Sequence, residues 1–394
     1  MTILFLMIAY PQVSQNSSMY TDLAQEFVYE GHDVYVAVAS GPDKTSFKVE
    51  GSSKVLRVRT LELFNTSFIK KGIANILLPY QVIKGIKKYF HGVDFDAVIV
   101  STPPITYRST VKKLKAKFRS KVYLILRDVF PQNAIDLGIL KNPVLINYFR
   151  KEEKDLYAIA DYIGCMSPGN IEYLKNHNPE VDESKLHLLQ NWKNVTAYSR
   201  PDLNLKRELG LENKFIAVYG GNLGKPQNID FILALAKENM HRDNVVFLLI
   251  GDGSEKRRIT DLAAKNRLPN LVIKDRLPQK QYQELAKVCD IGLVNLSERF
   301  SIPNIPSRIL SYWEAKLPVL AATDRNTDLP NMIEQSGSGL WCISGDLDSY
   351  KLNFDKLYQN TELRREMGEK GYKYLLENCT TAKAFSIINE KLMA

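Results

Sequence analysis

The sequence predicts an α/β protein built from two doubly wound domains. Short apolar, β-branched runs recur along its 394 residues, and amphipathic stretches of helical period separate them. This alternation is typical of βαβ units around a parallel sheet. The pattern stops in a polar, charge-mixed segment at residues 196–213 and then restarts. We therefore expect a first domain over residues 1–200 and a second over residues 207–380.

The strand-like runs of the first domain are residues 3–9, 34–39, 97–100, 122–126, 162–166 and 186–189. Helical patterns cover residues 19–29 and 107–117. The strand-like runs of the second domain are residues 215–219, 245–250, 271–273, 291–294, 318–322 and 339–342. Two such domains in tandem place the carboxyl ends of both sheets around one cleft, so ligand-binding residues are expected in strand-to-helix loops.

Composition excludes several classes of protein. With 45% apolar and 25% charged residues, 21 Gly and 17 Pro, the chain is not disordered, collagen-like or coiled-coil. Its four cysteines are far apart without a CxxC pair, which argues against a disulfide framework and favours a reducing cytoplasm. Residues 1–10 are apolar but lack a basic leader, and no window is long enough to span a bilayer. The net charge, 53 − 44 = +9, favours an anionic partner.

A glycine-rich segment gives the strongest phosphate signal. It follows a predicted strand, and glycines there let backbone N–H groups approach an anion while Lys225 adds charge. The competing interpretation is a tight turn without a ligand. A second turn of this kind follows the next strand. The candidate donor-binding residues of the two turns are Gly221, Asn222, Leu223, Gly224, Gly251, Asp252 and Gly253.

A third candidate segment precedes a short helix in the second domain. Pro306, Ser307 and Arg308 are predicted to begin this helix, with Ser307 capping it and Arg308 meeting a diphosphate. Glu298 and Glu314 are candidates to accept hydrogen bonds from sugar or ribose hydroxyls. The alternative is that these residues are a cap and solvated surface charges.

In the first domain, Arg127 and Asp128 follow a predicted strand, and Asp128 is a candidate to position or deprotonate an acceptor hydroxyl. An Asp128–Arg127 pair or a turn cap is the alternative. The loop after the first strand supplies candidate acceptor-binding residues, or simply a helix cap: Gln15, Asn16, Ser17 and Ser18.

Metal and redox chemistry have little support. Two Asp-x-Asp pairs, at residues 94–96 and 346–348, do not follow strands in the way a metal site would need, and the five histidines lack zinc-site spacing. The glycine segments do not make a full GxGxxG, which disfavours a nicotinamide dinucleotide. We expect no cofactor and no metal.

Two basic stretches mark the first domain. Residues 108–121 carry seven Lys or Arg and no acid, and residues 68–90 mix lysines with apolar residues, as interfacial helices do. The sequence predicts contact with an anionic membrane surface through Arg108–Lys121 and Lys70–Lys88. A solvated basic face is the alternative, and no nucleic-acid-binding motif accompanies the charge.

Together these motifs resemble the GT4 type of bacterial GT-B glycosyltransferases, especially the branch that builds O-antigen, capsule or exopolysaccharide. The resemblance covers nearly the whole chain and rests on EGHDVYVAV (30–38), RDVFPQ (127–132), LQNW (189–192), YGGNLGKPQNID (219–230), IGDGSEKRRI (250–259), CDIGLV (289–294), IPSRILSYWEAKLPVLA (305–321) and SGSGL (336–340). It implies two Rossmann-like domains facing across a cleft, a nucleotide-sugar on the second, an acceptor on the first, and retention without a metal. It also implies that a helix at residues 381–394 packs back on the first domain.

The chain departs from the family pattern in three places. The glycine pair of the first loop is absent, and the family's Arg and Lys in the glycine-rich segment fall on Asn222 and Gln227. The two family glutamates, eight residues apart, fall on Pro303 and Ser311. Ser311 can still bond a ribose hydroxyl, and Glu314 lies one helical turn beyond it. Lys225 and Arg308 are left as the diphosphate-binding cations, and Arg276 completes the expected donor site.

The resulting hypothesis is transfer of a hexose or acetamidosugar from a UDP-sugar to a saccharide acceptor linked to a lipid diphosphate. Asp128, Lys225 and Arg308 are the expected catalytic residues, and the expected location is the cytoplasmic face of the cell membrane. Two alternatives remain: a UDP-sugar 2-epimerase of the same fold, and a non-catalytic scaffold that binds membranes or polyanions.

Overall fold

The computed structural model describes residues 1–12, 17–63, 68–202 and 204–394. Contacts divide the chain into two compact units. Unit 1 comprises Met1–Asn194 together with Thr381–Ala394, and unit 2 comprises Val195–Thr380. Each unit is built on its own sheet, so the predicted α/β class is confirmed.

The sheet of unit 1 has the order β3-β4-β2-β1-β5-β6-β7-β8 and is parallel except for the β3–β4 pair. Its strands are β1 (Thr2–Met7), β2 (Asp33–Ala39), β3 (Ser46–Glu50), β4 (Ser53–Val58), β5 (Ala97–Ser101), β6 (Lys121–Leu126), β7 (Tyr162–Cys165) and β8 (Leu186–Leu188). The hairpin β3–β4 was not predicted, because β3 is exposed or half-buried along its length and Lys54 and Arg57 interrupt the buried Val55, Leu56 and Val58 of β4. Strands on both sides of β1 place a switch point of the chain between β1 and β5.

The helices of unit 1 are α1 (Met19–Tyr29), α2 (Phe68–Tyr89), α3 (Arg108–Phe118), α4 (Gln132–Asp136), α5 (Pro143–Ile159) and α6 (Pro168–His177). Short 3₁₀ turns form at Ile105–Tyr107 and Glu183–Lys185. The core is made of β-branched and aromatic side chains, among them Phe5, Phe27 and Tyr123. Among the residues that the structure describes, no helix is long and apolar enough to cross a bilayer.

The sheet of unit 2 is parallel throughout, in the order β11-β10-β9-β12-β13-β14. Its strands are β9 (Phe215–Asn222), β10 (Val245–Asp252), β11 (Leu271–Lys274), β12 (Ile291–Asn295), β13 (Val319–Thr323) and β14 (Gly339–Ile343). Counted within the unit, this is the 3-2-1-4-5-6 order of doubly wound nucleotide-binding folds. The switch point lies between β9 and β12, and such sheets bind ligands outside the carboxyl ends of the strands at that point.

The helices of unit 2 are α7 (Asn204–Glu208), α8 (Ile229–Glu238), α9 (Lys256–Lys265), α10 (Gln279–Lys287), α11 (Arg308–Glu314), α12 (Leu329–Ser336), α13 (Leu347–Gln359) and α14 (Thr361–Asn378). They are followed by the last helix of the chain, α15 (Thr381–Met393). Helix α15 belongs to unit 1 and packs on α1, where Phe385 meets Phe27 at 4.7 Å between ring centroids. Ala384, Ile388 and Leu392 of α15 are buried in the unit 1 core.

Helix α11 ends at Glu314, and two residues later Lys316 adopts a left-handed conformation with φ +56°. That conformation stops the helix, and it usually falls to glycine at this position. The ammonium of Lys316 is paired with Glu369 of α14 at 2.8 Å, which anchors the unusual residue.

Candidate active site

The glycine-rich segment of unit 2 lies at the end of a strand rather than in a loop. Pairing of β9 with β10 continues through Gly221–Gly251 and Asn222–Asp252, so the strands are longer than predicted. The continuation requires glycine, because a Cβ on Gly251 would lie 1.8 Å from the carbonyl oxygen of Gly221. A Cβ on Gly220 would lie 2.0 Å from the hydroxyl of Tyr282. These two glycines therefore serve close packing.

Gly221 differs from its neighbours. Its φ of +133° favours glycine, and the nearest atoms to a Cβ there belong to the guanidinium of Arg308, at 3.6 and 3.7 Å. A methyl group at Gly221 would therefore make ordinary contact with the guanidinium of Arg308 and occupy the space beside it. Because Gly221 has no side chain, a ligand at the end of β9 can reach the guanidinium of Arg308.

Arg308 is held by aromatic residues instead of carboxylates. Its guanidinium lies over the ring of Tyr219, 4.2 Å from the centroid. Within the described residues, its buried Nη1 has no hydrogen-bond acceptor and no acid pairs with it. A buried N–H group without an acceptor is energetically costly, because it has lost water and gained no hydrogen bond. The arrangement suits an anion that supplies the missing acceptors.

Tyr312 fixes the strand ends beneath this cation. Its hydroxyl accepts a hydrogen bond from the N–H of Gly220 at 3.2 Å and reaches the carbonyl oxygen of Leu293 on β12 at 3.1 Å. Burial raises the pKa of this phenol to about 12, so it stays neutral. The two strands of the switch point are therefore tied together directly under Arg308.

Lys225 is exposed in the 3₁₀ turn Lys225–Gln227, at the end of the glycine segment. The next residue, Pro226, accepts a hydrogen bond from the N–H of Ser297 at 2.8 Å. This bond joins the loops after β9 and β12. Glu298 follows Ser297, is exposed, and its carboxylate lies beside Gly345 on the loop after β14.

Other predicted donor residues of these loops are committed to local structure. The side chain of Leu223 is buried in the core, so only its backbone faces the loop. Asp252 accepts a hydrogen bond from the N–H of Gly253 at 2.8 Å, and its carbonyl accepts from the N–H of Leu223. Asn222 donates to Gln227 at 3.0 Å, and an added Cβ on Gly224 would meet that amide. Direct contact of these side chains with a donor stays a prediction.

The predicted cap of α11 is wrong. Ser307 precedes the helix, but its side chain makes no capping hydrogen bond. Its φ of −63° and ψ of −15° are helical, whereas a capping side chain needs an extended backbone to turn back on the helix. Ser307 is instead exposed, next to the half-buried Pro306.

Ser311 and Glu314 lie farther along α11, away from Gly221. They line a pocket along α10 and α11 whose walls are Thr196, Ala197, Tyr198, Gln283, Glu284, Lys287, Ser311, Glu314 and Ala315. Glu314 is not a solvated surface charge, because it is 6% exposed and accepts a hydrogen bond from Gln283 at 3.2 Å. Arg276 is exposed on the loop after β11.

In unit 1, Arg127 lies at the end of β6 and is bound by residues that follow β8. Its guanidinium donates to the amide oxygen of Asn191 and lies 5.8 Å from the ring centroid of Trp192. Burial lowers the pKa of this guanidinium. The alternative interpretation was an ion pair between Arg127 and Asp128, and these two residues form no ion pair in the described part of the chain.

Asp128 is held by Asn133, whose amide N–H donates to its carboxylate. Its carbonyl accepts a hydrogen bond from the buried hydroxyl of Thr102, at 3.2 Å, which links the ends of β5 and β6. Burial raises the pKa of Asp128 to about 6, against the opposing effects of the Asn133 amide, the Val129 N–H and the Arg127 charge. A carboxyl with this pKa is ionised at neutral pH and titrates just below it.

The residues predicted on the first loop have different outcomes. Gln15 and Asn16 lie outside the described residues. Ser18 caps α1, since its hydroxyl accepts from the N–H of Thr21 at 3.2 Å, and Thr21 bonds back to its N–H at 2.7 Å. Ser17 precedes it. The indole of Trp192 donates to the carbonyl of Met19 at 2.6 Å, so the start of α1 lies beside Arg127.

Three residues of these clusters escaped the prediction. Asn133 is one helical turn beyond Asp128 in sequence, and only the fold shows that its amide turns back. Tyr219 and Tyr312 look like ordinary core aromatics in the sequence. The signal for Asn191 and Trp192 was present, because they follow a predicted strand, but polarity at a strand end is common.

The two Asp-x-Asp pairs have structural explanations. Asp96 accepts a hydrogen bond from the N–H of Thr2 at 2.7 Å, and Asp346 caps α13 through the N–H of Ser349 at 3.0 Å. In the part of the chain that the structure describes, no three His, Cys, Asp or Glu residues are grouped as metal ligands.

Two parallel-stranded units, one of them in the order typical of nucleotide binding, make the architecture of GT-B glycosyltransferases. The chain superposes on sucrose-phosphate synthase from Thermosynechococcus elongatus with a TM-score of 0.80 at 13% sequence identity. The superposition covers 99% of this chain and 98% of the synthase. HepE from Anabaena, in complex with UDP-glucose, gives a TM-score of 0.73 at 13% identity over 100% of this chain and 99% of HepE.

Sequence comparison relates unit 2 to a known family model. Residues 202–374 match the family model described as Glycosyl transferases group 1. The probable glycosyltransferase WbjE of Pseudomonas aeruginosa is 24% identical over 318 residues, which cover 78% of this chain and 74% of WbjE. The chain therefore carries a group 1 glycosyl transferase domain, and the cluster around Arg308 lies within it.

Proposed function

We propose that the protein transfers a hexose or acetamidosugar from a UDP-sugar to a hydroxyl of a saccharide acceptor, with retention of anomeric configuration. Unit 2 binds the donor and unit 1 the acceptor. The observation that carries the proposal is Arg308: its Nη1 is buried without an acceptor, no acid among the described residues pairs with it, and it lies beside Gly221 at the switch point of the unit 2 sheet.

The donor diphosphate fits this cluster chemically. A guanidinium bonds two phosphate oxygens at once, and the bare backbone at Gly221 lets a phosphate come close. Lys225, exposed on the neighbouring turn, adds a second positive charge. Charge grows on the diphosphate as the glycosidic bond breaks, so the same two cations favour the transition state over the ground state.

The acceptor is assigned to the cluster around Asp128. At neutral pH its carboxylate is ionised and accepts a hydrogen bond from the acceptor hydroxyl, which orients that oxygen. Retention needs no protein nucleophile, because an oxygen of the donor phosphate can take the hydroxyl proton on the same face of the sugar. Neither a metal nor a cofactor is part of this mechanism.

The biological setting follows from the sequence resemblance to enzymes of O-antigen, capsule and exopolysaccharide synthesis. We assign the acceptor to saccharides linked to a lipid diphosphate and the site of action to the cytoplasmic face of the membrane. WbjE supports glycosyl transfer by its description, and the HepE complex with UDP-glucose supports a UDP-sugar as donor.

The test is thermal unfolding of the protein against UDP, GDP, ADP, dTDP and a set of UDP-sugars, followed by product analysis with the stabilising donor. A ligand that binds the native state raises stability as RT ln(1 + [L]/Kd). We expect a selective shift with UDP and one UDP-sugar, and transfer of that sugar to a lipid-linked saccharide.

Other outcomes favour the alternatives. Release of UDP or of an epimerised UDP-sugar without any acceptor would identify a UDP-sugar 2-epimerase. The absence of a shift with every nucleotide at millimolar concentration would contradict the donor site and favour a non-catalytic scaffold.

A further inference from the structure

Helix α2 has an apolar row on the side that faces away from the core. Its buried side is formed by Ala74, Leu78, Val82 and Ile86. The opposite side carries Ile73, Ile76, Leu77 and Tyr80, which are 41–59% exposed. Their spacing of three and four residues places them in one stripe along the helix. Soluble surfaces rarely expose four large apolar side chains in such a row.

A second group of exposed apolar residues continues this row on α5. Val144, Leu145 and Tyr148 lie in its first two turns and are 37–73% exposed. Helices α2 and α5 both contact α3 and the 3₁₀ turn Ile105–Tyr107. We call these seven residues the α2–α5 apolar surface.

Lysines surround the apolar surface. Lys70 and Lys84 extend the α2 stripe at its two ends, and the ammonium of Lys113 on α3 lies 5.5 Å from the ring centroid of Tyr80. No described carboxylate pairs with Lys84 or Lys113, whereas several other lysines of unit 1 do form ion pairs. Residues 68–90 and 108–121 contain no Asp or Glu at all.

We propose that the α2–α5 apolar surface docks on an anionic lipid bilayer, with its side chains in the acyl boundary and the surrounding lysines on the headgroups. Apolar rows flanked by lysine are the pattern of helices that lie in a membrane interface. Each lysine near an anionic surface adds attraction, and helices α2 and α3 carry no carboxylate of their own to oppose it. The inference goes beyond glycosyl transfer, because it requires neither the donor site nor turnover.

The experiment is cosedimentation of the full chain with vesicles. One set contains phosphatidylcholine with about 30% phosphatidylglycerol, and the other contains phosphatidylcholine alone. The test variants are Ile76→Glu/Leu77→Glu for the apolar row and Lys84→Glu/Lys113→Glu for the charge. Leu352→Glu is the matched control, since Leu352 is 56% exposed on α13 in unit 2.

We expect the wild-type chain and the Leu352→Glu control to bind the anionic vesicles and neither to bind phosphatidylcholine alone. Each double variant should partition at least about tenfold more weakly. UDP-induced stabilisation is measured on the same preparations, so that loss of docking is separated from loss of folding or of the donor site.

Several results would overturn the proposal. Equal binding of the Ile76→Glu/Leu77→Glu variant would remove the apolar row from the contact, and binding to phosphatidylcholine alone would remove the charge. A dimer in light scattering that this variant converts to a monomer, with no vesicle binding by the wild type, would show that a second copy covers the surface instead.

Discussion

The clusters around Arg308 and Asp128 satisfy their charges in opposite ways. Arg308 lies over an aromatic ring, and among the described residues its Nη1 has no acceptor. In unit 1, by contrast, Arg127 donates to Asn191 and Asp128 accepts from Asn133. Protein side chains thus supply the hydrogen-bond partners of the cluster around Asp128, whereas the cluster around Arg308 can still accept a ligand.

This difference separates two tasks of a transfer enzyme. A ligand with fixed negative charge is best held by a cation that has no competing carboxylate, because every protein acid would have to be displaced first. A hydroxyl without charge offers little binding energy, so its partner must be oriented beforehand by other residues. Variants of Arg308, Asp128 and their neighbours test whether the two clusters perform these two tasks.

The largest expected effect follows from Arg308→Ala. We expect kcat/KM to fall by about a hundredfold, because the change removes the cation that the departing diphosphate needs. Arg308→Lys should recover only part of the loss, since an ammonium cannot bond two oxygens in one plane. Arg207→Ala, at an exposed arginine of α7, is the control. A folded Arg308→Ala protein with wild-type turnover would remove Arg308 from the site.

Asp128→Asn should lower kcat/KM by about tenfold to a hundredfold near neutral pH. In the wild type, kcat/KM should rise with pH through an apparent pKa of about 6, and the variant should lack this limb. Initial rates between about pH 5 and 8 test both points. Loss of activity with the limb retained would assign the pH dependence to another group.

The same variant tests stability. The raised pKa means that between about pH 4 and 6 the folded protein holds a proton on Asp128 that the unfolded chain releases. The contribution of this group to the free energy of unfolding therefore falls as pH rises through that interval. Asp128→Asn does not titrate, so its stability relative to wild type should increase from pH 4 to pH 7 in denaturant titrations.

Gly221→Ala should weaken UDP binding by about tenfold, because the methyl group lies against the Arg308 guanidinium where phosphate is expected. The matched control is Gly210→Ala. Gly210 also has a positive φ, but no atom lies within 4 Å of its added Cβ. Both variants lose stability through backbone strain, and calorimetric titration with UDP should separate them. Equal affinities would show that Gly221 is only a turn residue.

The smallest effect is expected for Asn133→Ala. Its amide lowers the pKa of Asp128, so its removal should move the rising limb of kcat/KM to higher pH while leaving the plateau nearly unchanged. Gln132→Ala, the preceding residue on α4, should not move the limb. A fall in the plateau with an unmoved limb would mean that Asn133 supports only the local fold.

The order of strands and helices was predictable from the sequence, because the spacing of apolar residues follows which face of each element is buried. The run at residues 19–29 matches α1, and every strand of both sheets except β3 and β4 was anticipated within a few residues. The β3–β4 hairpin was missed since charged residues interrupt its apolar pattern, among them Arg57 of β4, which pairs with Glu50 of β3. Strands β9 and β10 were predicted too short, because their extensions consist of glycine and polar residues that strands normally avoid.

The candidate site was only partly accessible from sequence for a related reason. Arg308 and Gly221 were recognisable as types of residue that bind phosphate, but their mutual approach depends on strand pairing. Ser307 was assigned a cap because serine often takes that position, and the helical backbone of this particular residue prevents it. Which nearby amide holds Asp128 was likewise decided by tertiary contact.

Helix α15 has a consequence for synthesis of the chain. The contacts of Phe385, Ile388 and Leu392 complete the core of unit 1, yet these residues emerge only after all of unit 2. Unit 2 is continuous in sequence and is free to fold while translation proceeds. Unit 1 must wait with an apolar groove on α1 and β6 uncovered. Ribosome-bound chains that stop before residue 381 are therefore expected to recruit chaperones through unit 1, the half of the molecule made first.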